Sequence, residues 1–151
     1  MFDYRDATAP IEERVKNLLT QMTPEEKIGQ MTLVEKDSIA PREVTRSNIG
    51  ALLSGGGGSP PDNSPAGWLD MVTEFQQAAL DTDLQIPLLY GVDAVHGHNN
   101  VVGATIFPHN IGLGAANDPE LMYKIGAATA TEMAASGLDW TFGPTVAAVR
   151  D

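Results

Sequence analysis

The sequence predicts a parallel α/β fold, on three observations. Short apolar runs at residues 49–53, 87–92 and 138–142 each stop at glycine or polar residues, as strands buried on both faces do. Helical periodicity fills the intervals, so strand, helix, strand, helix, strand recur at a spacing of about 40–50 residues. Finally, Asp93, His96, His98, Asn99 and Asn100 crowd the point where the second run ends, which is where parallel sheets carry their sites. On pattern alone a doubly wound sheet and a (β/α)8 barrel both remain open.

The elements follow in order. Pro10 suits the first position of a helix, where its missing N–H is not needed. Ile11, Val15, Leu18, Leu19 and Met22 then recur at helical spacing, giving an amphipathic helix over roughly residues 10–22. Thr23-Pro24-Glu25-Glu26 reads as a second start, with Thr23 as N-cap and Glu26 closing a capping box; a short helix to about Met31 follows. Residues 35–48 are polar and irregular, with room for one helical turn. The run at 49–53 reads as a buried strand that ends in Ser54 and the glycines at 55–58. Loop follows to Pro65, and Trp68, Val72, Phe75 and Ala79 then stripe a helix over about 65–82.

After the strand at 87–92, a long loop is expected from Asp93 to Asn117, broken by Gly103, Pro108, Gly112 and Gly114. Asn117-Asp118-Pro119-Glu120 opens another helix, with Leu121, Ile125, Ala128 and Met133 facing inward. Gly137 is its C-cap, and residues 138–142 form the third strand.

Composition narrows the classes. A chain of 151 residues, 42% hydrophobic and 19% charged, can bury a real core. Its net charge of −11 argues against nucleic acid or an anionic membrane surface as partner, because both need cationic patches. Cysteine is absent, which removes disulfides, thiolate chemistry and sulfur-ligated zinc. No stretch approaches the ~20 apolar residues that span a bilayer, and the amino terminus shows no signal-peptide pattern.

Among candidate sites, the glycines at 55–58 lack the Gly-Lys-Ser/Thr context of a phosphate loop; they suit close approach of the backbone to a ligand or neighbouring loop. His96 and His98, with Asp93 and His109, carry a metal reading, since imidazoles two apart on extended backbone point the same way. The competing reading has these histidines bracing a long loop by hydrogen bonds. Asp93 could likewise cap or brace. A lone acid at the end of a buried strand also suits a hydroxyl-rich ligand, because a carboxylate can grip two neighbouring hydroxyls at once. Trp68, Trp140 and Phe142 read as core rather than sugar platforms.

Three segments resemble the start of the catalytic domain of family 3 glycoside hydrolases, the β-glucosidases and exo-acting β-glucanases. They are Met22-Thr23-Pro24-Glu25-Glu26-Lys27-Ile28-Gly29-Gln30-Met31, then Gly91-Val92-Asp93-Ala94-Val95-His96-Gly97-His98-Asn99-Asn100, then Gly103-Ala104-Thr105-Ile106-Phe107-Pro108-His109-Asn110. The resemblance covers essentially the whole chain in the expected order. The Asp-Ala-Val-His-Gly-His-Asn-Asn form is similar to the bacterial exo-glucanase and cellodextrin-cleaving branch.

This resemblance implies a (β/α)8 TIM-type barrel, of which residues 1–151 supply the amino-terminal portion, roughly three βα units. It implies retaining hydrolysis that releases glucose from the non-reducing end of a β-glucoside or β-glucan oligosaccharide. In the family, the aspartate matching Asp93 holds glucose hydroxyls. Gly56 and His96 are expected to edge the same pocket, with His96 and His98 bracing it and no cofactor or metal needed. The nucleophilic aspartate, the acid/base glutamate and a sugar-binding Arg-Trp-Gly-Arg run are expected downstream, with Arg150-Asp151 as the approach to that run. No catalytic residue is therefore expected within this chain. The alternatives are a metal-dependent hydrolase using His96 and His98, or a non-catalytic carbohydrate-binding fragment. The resemblance also suggests a periplasmic or secreted protein, and an open barrel edge prone to self-association.

Overall fold

A computed structural model describes residues 3–145; Arg150 and Asp151 lie outside them. Helix α1 (Ile11–Gln21) starts beside Pro10, and α2 (Pro24–Gln30) starts at Thr23. The capping box is complete: Glu26 N donates to Thr23 Oγ1 at 3.2 Å, and Thr23 N donates to Glu26 Oε2 at 2.7 Å. Strand β1 (Leu33–Glu35), a 3₁₀ turn at Lys36–Ser38 and helix α3 (Pro41–Ser47) come next. The stretch at 35–48 is thus more regular than its polarity suggests. Pro41 is pre-set for a first helical position, Glu43 takes the Ala40 N–H at 2.8 Å, and Asn48 closes α3 in the left-handed region.

Strand β2 (Ala51–Ser54), helix α4 (Pro65–Leu80) and strand β3 (Leu89–Val92) occupy the expected places. The expected loop after β3 contains a further helix, α5 (Asn110–Ala116), capped by the ring of His109, whose Nδ1 accepts from Ile111 N at 3.2 Å. Gly112 and Gly114 hide it by thinning its apolar periodicity. Helix α6 (Pro119–Ala135) begins at Asp118, whose carboxylate accepts from Leu121 N at 3.0 Å, and is followed by Gly137 at φ +82°. Strand β4 (Trp140–Thr141) ends the series.

The four strands form one parallel sheet in the order β1-β2-β3-β4. Three strands were expected. The fourth is β1, too short to show a pattern of its own and identified by its register, Leu33 beside Ala51 and Glu35 beside Leu53. A doubly wound sheet reverses direction at a switch point, whereas barrel strands neighbour one another in chain order. This order is that of a (β/α)8 barrel, of which the described residues form four adjacent staves.

One sheet face is covered. Leu52 and Tyr90 are completely buried in a core that includes Trp68, Val72 and Phe75 of α4, and the Phe75 and Tyr90 rings meet edge-on at 6.1 Å. The opposite face carries Leu33, Glu35, Ala51, Leu53, Leu89, Gly91 and Trp140 by register and alternation. It is open: Leu89 is 57% exposed. Two expected apolar stripes are also less covered than predicted. In α1 no residue is buried, and in α6 only Met133 is. Periodicity records which side of a helix is apolar, while burial also needs an opposing surface, and the described residues do not supply one there.

Candidate functional site

Asp93 follows the last residue of β3, on the open sheet face continued from Leu89 and Gly91. Its neighbours are fixed by register. Ser54 pairs with Val92, and Val92 pairs with Thr141, so Asp93 leaves the sheet beside the glycines at 55–58 and beside Phe142. These are the carboxyl ends of β2, β3 and β4, the side on which barrel sites are built. The backbone carbonyl of Asp93 accepts from Thr141 Oγ1 at 2.8 Å, which ties β3 to β4 at this level. Its half-buried carboxylate accepts no hydrogen bond from the described residues. A bracing carboxylate would be engaged; among the described residues this one is held by its backbone alone.

The glycines at 55–58 divide into two kinds. A Cβ on Gly55, Gly56 or Gly57 would meet nothing within 4 Å, and none of the three has a positive φ. The described fold therefore makes no demand for glycine at those positions. Gly58 differs, since a Cβ there would lie 3.1 Å from Glu35 Oε1 and 3.2 Å from Ser54 Cα.

The two histidines of the motif part company. Gly97, at φ +78°, turns the chain between them, so the extended backbone that would align their rings is not present. His96 is half-buried, its ring 5.6 Å from that of His109 and tilted by 49°. Its backbone is used on both sides: His96 N donates to Asn99 Oδ1 at 3.2 Å, and Phe107 N donates to its carbonyl at 2.9 Å. His98 is buried, edge-on to Trp68 at 5.6 Å, with Nε2 at 2.8 Å from Ser136 Oγ. The single Ser136 hydroxyl proton is committed to the carbonyls of Met133 and Glu132, so His98 donates from Nε2 and carries the neutral Nε2–H tautomer. Burial is the main cause holding its pKa below the usual 6.5, partly opposed by Glu132. His98 thus pins the loop to α4 and α6, the bracing role. A shared His96–His98 metal site does not fit this geometry, and no group of three or more His, Asp or Glu suited to a metal occurs among the described residues.

A cavity of about 320 Å³ lies elsewhere, between α5, α6 and β4, lined largely by apolar side chains such as Leu113, Ile125 and Met133. Asp93 does not line it, and a hydroxyl-rich ligand would find few partners there. Sequence reasoning missed two features of the strands around Asp93: on the helix-covered face the buried pair Ser54 and Tyr90, with hydroxyls 2.9 Å apart, and on the other face the covering of Gly91 by the Trp140 ring. Their signals were a serine closing an apolar strand and a glycine interrupting one.

A sheet whose staves follow chain order, with Asp93 at its carboxyl edge, defines the class as a barrel-type α/β protein. The model of the glycosyl hydrolase family 3 N terminal domain matches residues 23–151. The chain belongs to that family. It is 35% identical over 152 residues to a lysosomal beta glucosidase of Dictyostelium discoideum, covering 86% of this chain and 18% of that protein. A periplasmic beta-glucosidase of Salmonella typhimurium is 31% identical over 142 residues, covering 91% and 17%. The exo-1,3/1,4-beta-glucanase of a Pseudoalteromonas species superimposes with a TM-score of 0.85 at 45% identity, over 93% of this chain and 18% of that one. The chain therefore spans less than one fifth of the length of these relatives.

Proposed function

We propose that residues 1–151 form the amino-terminal staves of a (β/α)8 catalytic domain that releases glucose from the non-reducing end of β-glucosides or β-glucans with retention. Within it, Asp93 is the carboxylate that binds neighbouring hydroxyls of the terminal glucosyl unit, with Gly56 and His96 at the pocket edge. The Asp93 carboxylate at the carboxyl end of β3, which accepts no hydrogen bond from the described residues, carries this reading. Its chemistry suits the task, because an ionised carboxylate offers about four acceptor positions and forms charge-assisted bonds. Its part is orientation: contacts away from the breaking bond lower the barrier when they hold the ring in its reactive shape. Bond cleavage with retention needs two carboxyl groups ~5–5.5 Å apart as nucleophile and acid/base. We assign both to other parts of the full-length domain.

Two measurements test this. The 151-residue chain alone should release nothing from an aryl β-glucoside; turnover that persists through repurification would place catalytic groups inside it. In the full-length enzyme, Asp93→Asn should lower kcat/KM about 100-fold, the loss of two bonds to a charged group, with little change in Tm. Unchanged kinetics with a lowered Tm would return Asp93 to a bracing role.

A further inference from the structure

Ser54 ends β2 and Tyr90 lies within β3, and both side chains are completely buried on the helix-covered face, away from Asp93. Their hydroxyls meet at 2.9 Å, and Ser54 Oγ also lies 2.7 Å from the carbonyl oxygen of Gly58. A hydroxyl has one proton, and a carbonyl oxygen only accepts. The Ser54 proton therefore goes to Gly58, and Tyr90 is the donor to Ser54. The bonds run in one direction: Tyr90 O–H to Ser54 O–H to the Gly58 carbonyl. Burial, the largest influence, pushes the Tyr90 pKa up to about 12, so the donor keeps its proton.

What this chain of bonds holds is a loop of four glycines, the residues with the most backbone freedom to lose. Gly58 N donates to Gly55 O at 3.2 Å, and Ser59 N donates to Gly57 O at 2.8 Å, so the loop closes on itself above the end of β2. Around Gly55, Gly56 and Gly57 there is open space. The fixed point is Gly58, gripped from within the core. Because Ser54 pairs with Val92, the loop so held leaves β2 at the level where Asp93 leaves the neighbouring β3.

We propose that this buried hydroxyl relay sets the position of the glycine loop as a wall of the glucosyl pocket, making Ser54 and Tyr90 positioning residues for glycoside binding. The inference rests on the glycoside reading of Asp93. Neither residue touches the sugar. The relay carries the rigidity of two paired strands to a loop whose tip has no side chains to hold it.

The test uses the full-length enzyme and three variants: Ser54→Ala, Tyr90→Phe and Val44→Ala. Val44 is a buried α3 residue in the same core, and its truncation serves as a purely structural control. Each is compared below its own Tm. Ser54→Ala should raise KM for a short β-glucoside about 3–10-fold with kcat within about twofold, because one neutral hydrogen bond is lost and the loop holds none of the bond-breaking groups. Tyr90→Phe should act in the same sense but less, since Ser54 keeps its own bond to Gly58. In Ser54→Ala, amide exchange at residues 56–59 should quicken about tenfold. Val44→Ala should lower Tm and leave both readouts alone. If Ser54→Ala and Tyr90→Phe behave as Val44→Ala does, the relay is structural only and the proposal is overturned. A wild-type enzyme that cleaves no β-glucoside or β-glucan overturns the glycoside reading, and the pocket half of this proposal with it. Loop exchange in Ser54→Ala still decides whether the relay holds the loop.

Discussion

The indole of Trp140 on β4 lies across Gly91 on β3, its register partner, so closely that a Cβ on Gly91 would clash with the ring. Trp140 also packs edge-on against Phe142 at 4.7 Å. The glycine is a matter of space and not of backbone conformation, since Gly91 sits in an ordinary strand. Gly91→Ala should destabilise the protein by about 1–3 kcal/mol, the usual cost of forcing an extra carbon into a packed contact. Chemical denaturation followed by tryptophan fluorescence reads both the stability loss and the displaced ring. A neutral result would mean that the indole swings aside freely.

Gly56 and Gly58 should respond oppositely to the same change. Alanine meets nothing at Gly56, and with an ordinary φ it should leave stability equal or raise it by about 0.4–1 kcal/mol through the unfolded chain. Affinity for a glucoside should nevertheless fall if the bare backbone there lies against the sugar. At Gly58, alanine crowds Glu35 and Ser54, so stability should drop. Thermal melts paired with ligand titrations of the full-length protein separate the two. Gly56→Ala with wild-type affinity would remove Gly56 from the pocket.

His98 makes stability depend on pH in a defined direction. Its folded pKa lies below the usual 6.5, so between the two values the unfolded chain binds the proton that the folded chain refuses. The His98 contribution is therefore fully present above pH ~6.5 and is lost as pH falls through 6.5 toward the lower folded value. Urea midpoints from pH 7.5 down to 5 should fall in the wild type, and fall less in His98→Gln. Parallel curves for the two proteins would show that another group controls the slope.

The open sheet face predicts association when the 151-residue chain is alone. Leu33 is 46% exposed, Leu89 57% and Phe142 54%. Contiguous apolar surface and unpaired strand edges favour self-contact. Light scattering across a concentration series should give a mass above 16.0 kDa, and a concentration-independent monomer would contradict this.

What could be read from the sequence was whatever local chemistry decides. Thr23 with Glu26, and Asp118 before Pro119, announce helix starts through their own hydrogen bonds, and both caps form. Strands β2 and β3 are visible as apolar runs, and Asp93 stands out where β3 stops. The remainder depends on partners distant in the chain. β1 has three residues and is a strand only because β2 lies beside it. His96 and His98 look like a pair until the turn at Gly97 sends one to His109 and the other to Ser136. The Ser54–Tyr90 contact joins residues 36 apart in sequence, and neither residue type alone points to the other. Helix α3 is the exception, because Pro41 and Glu43 were legible start signals in a segment whose polarity hid them.

The in-order ladder has one more consequence. Strands β2 and β3 find both of their neighbours inside this stretch, so among the described residues only the outer rims of β1 and β4 are open to further backbone partners. A break in the polypeptide beyond β4 would sever no rung of this ladder, which makes that boundary a seam at which a barrel of this type could be split, or its remaining staves exchanged for those of a cousin, and then reassembled.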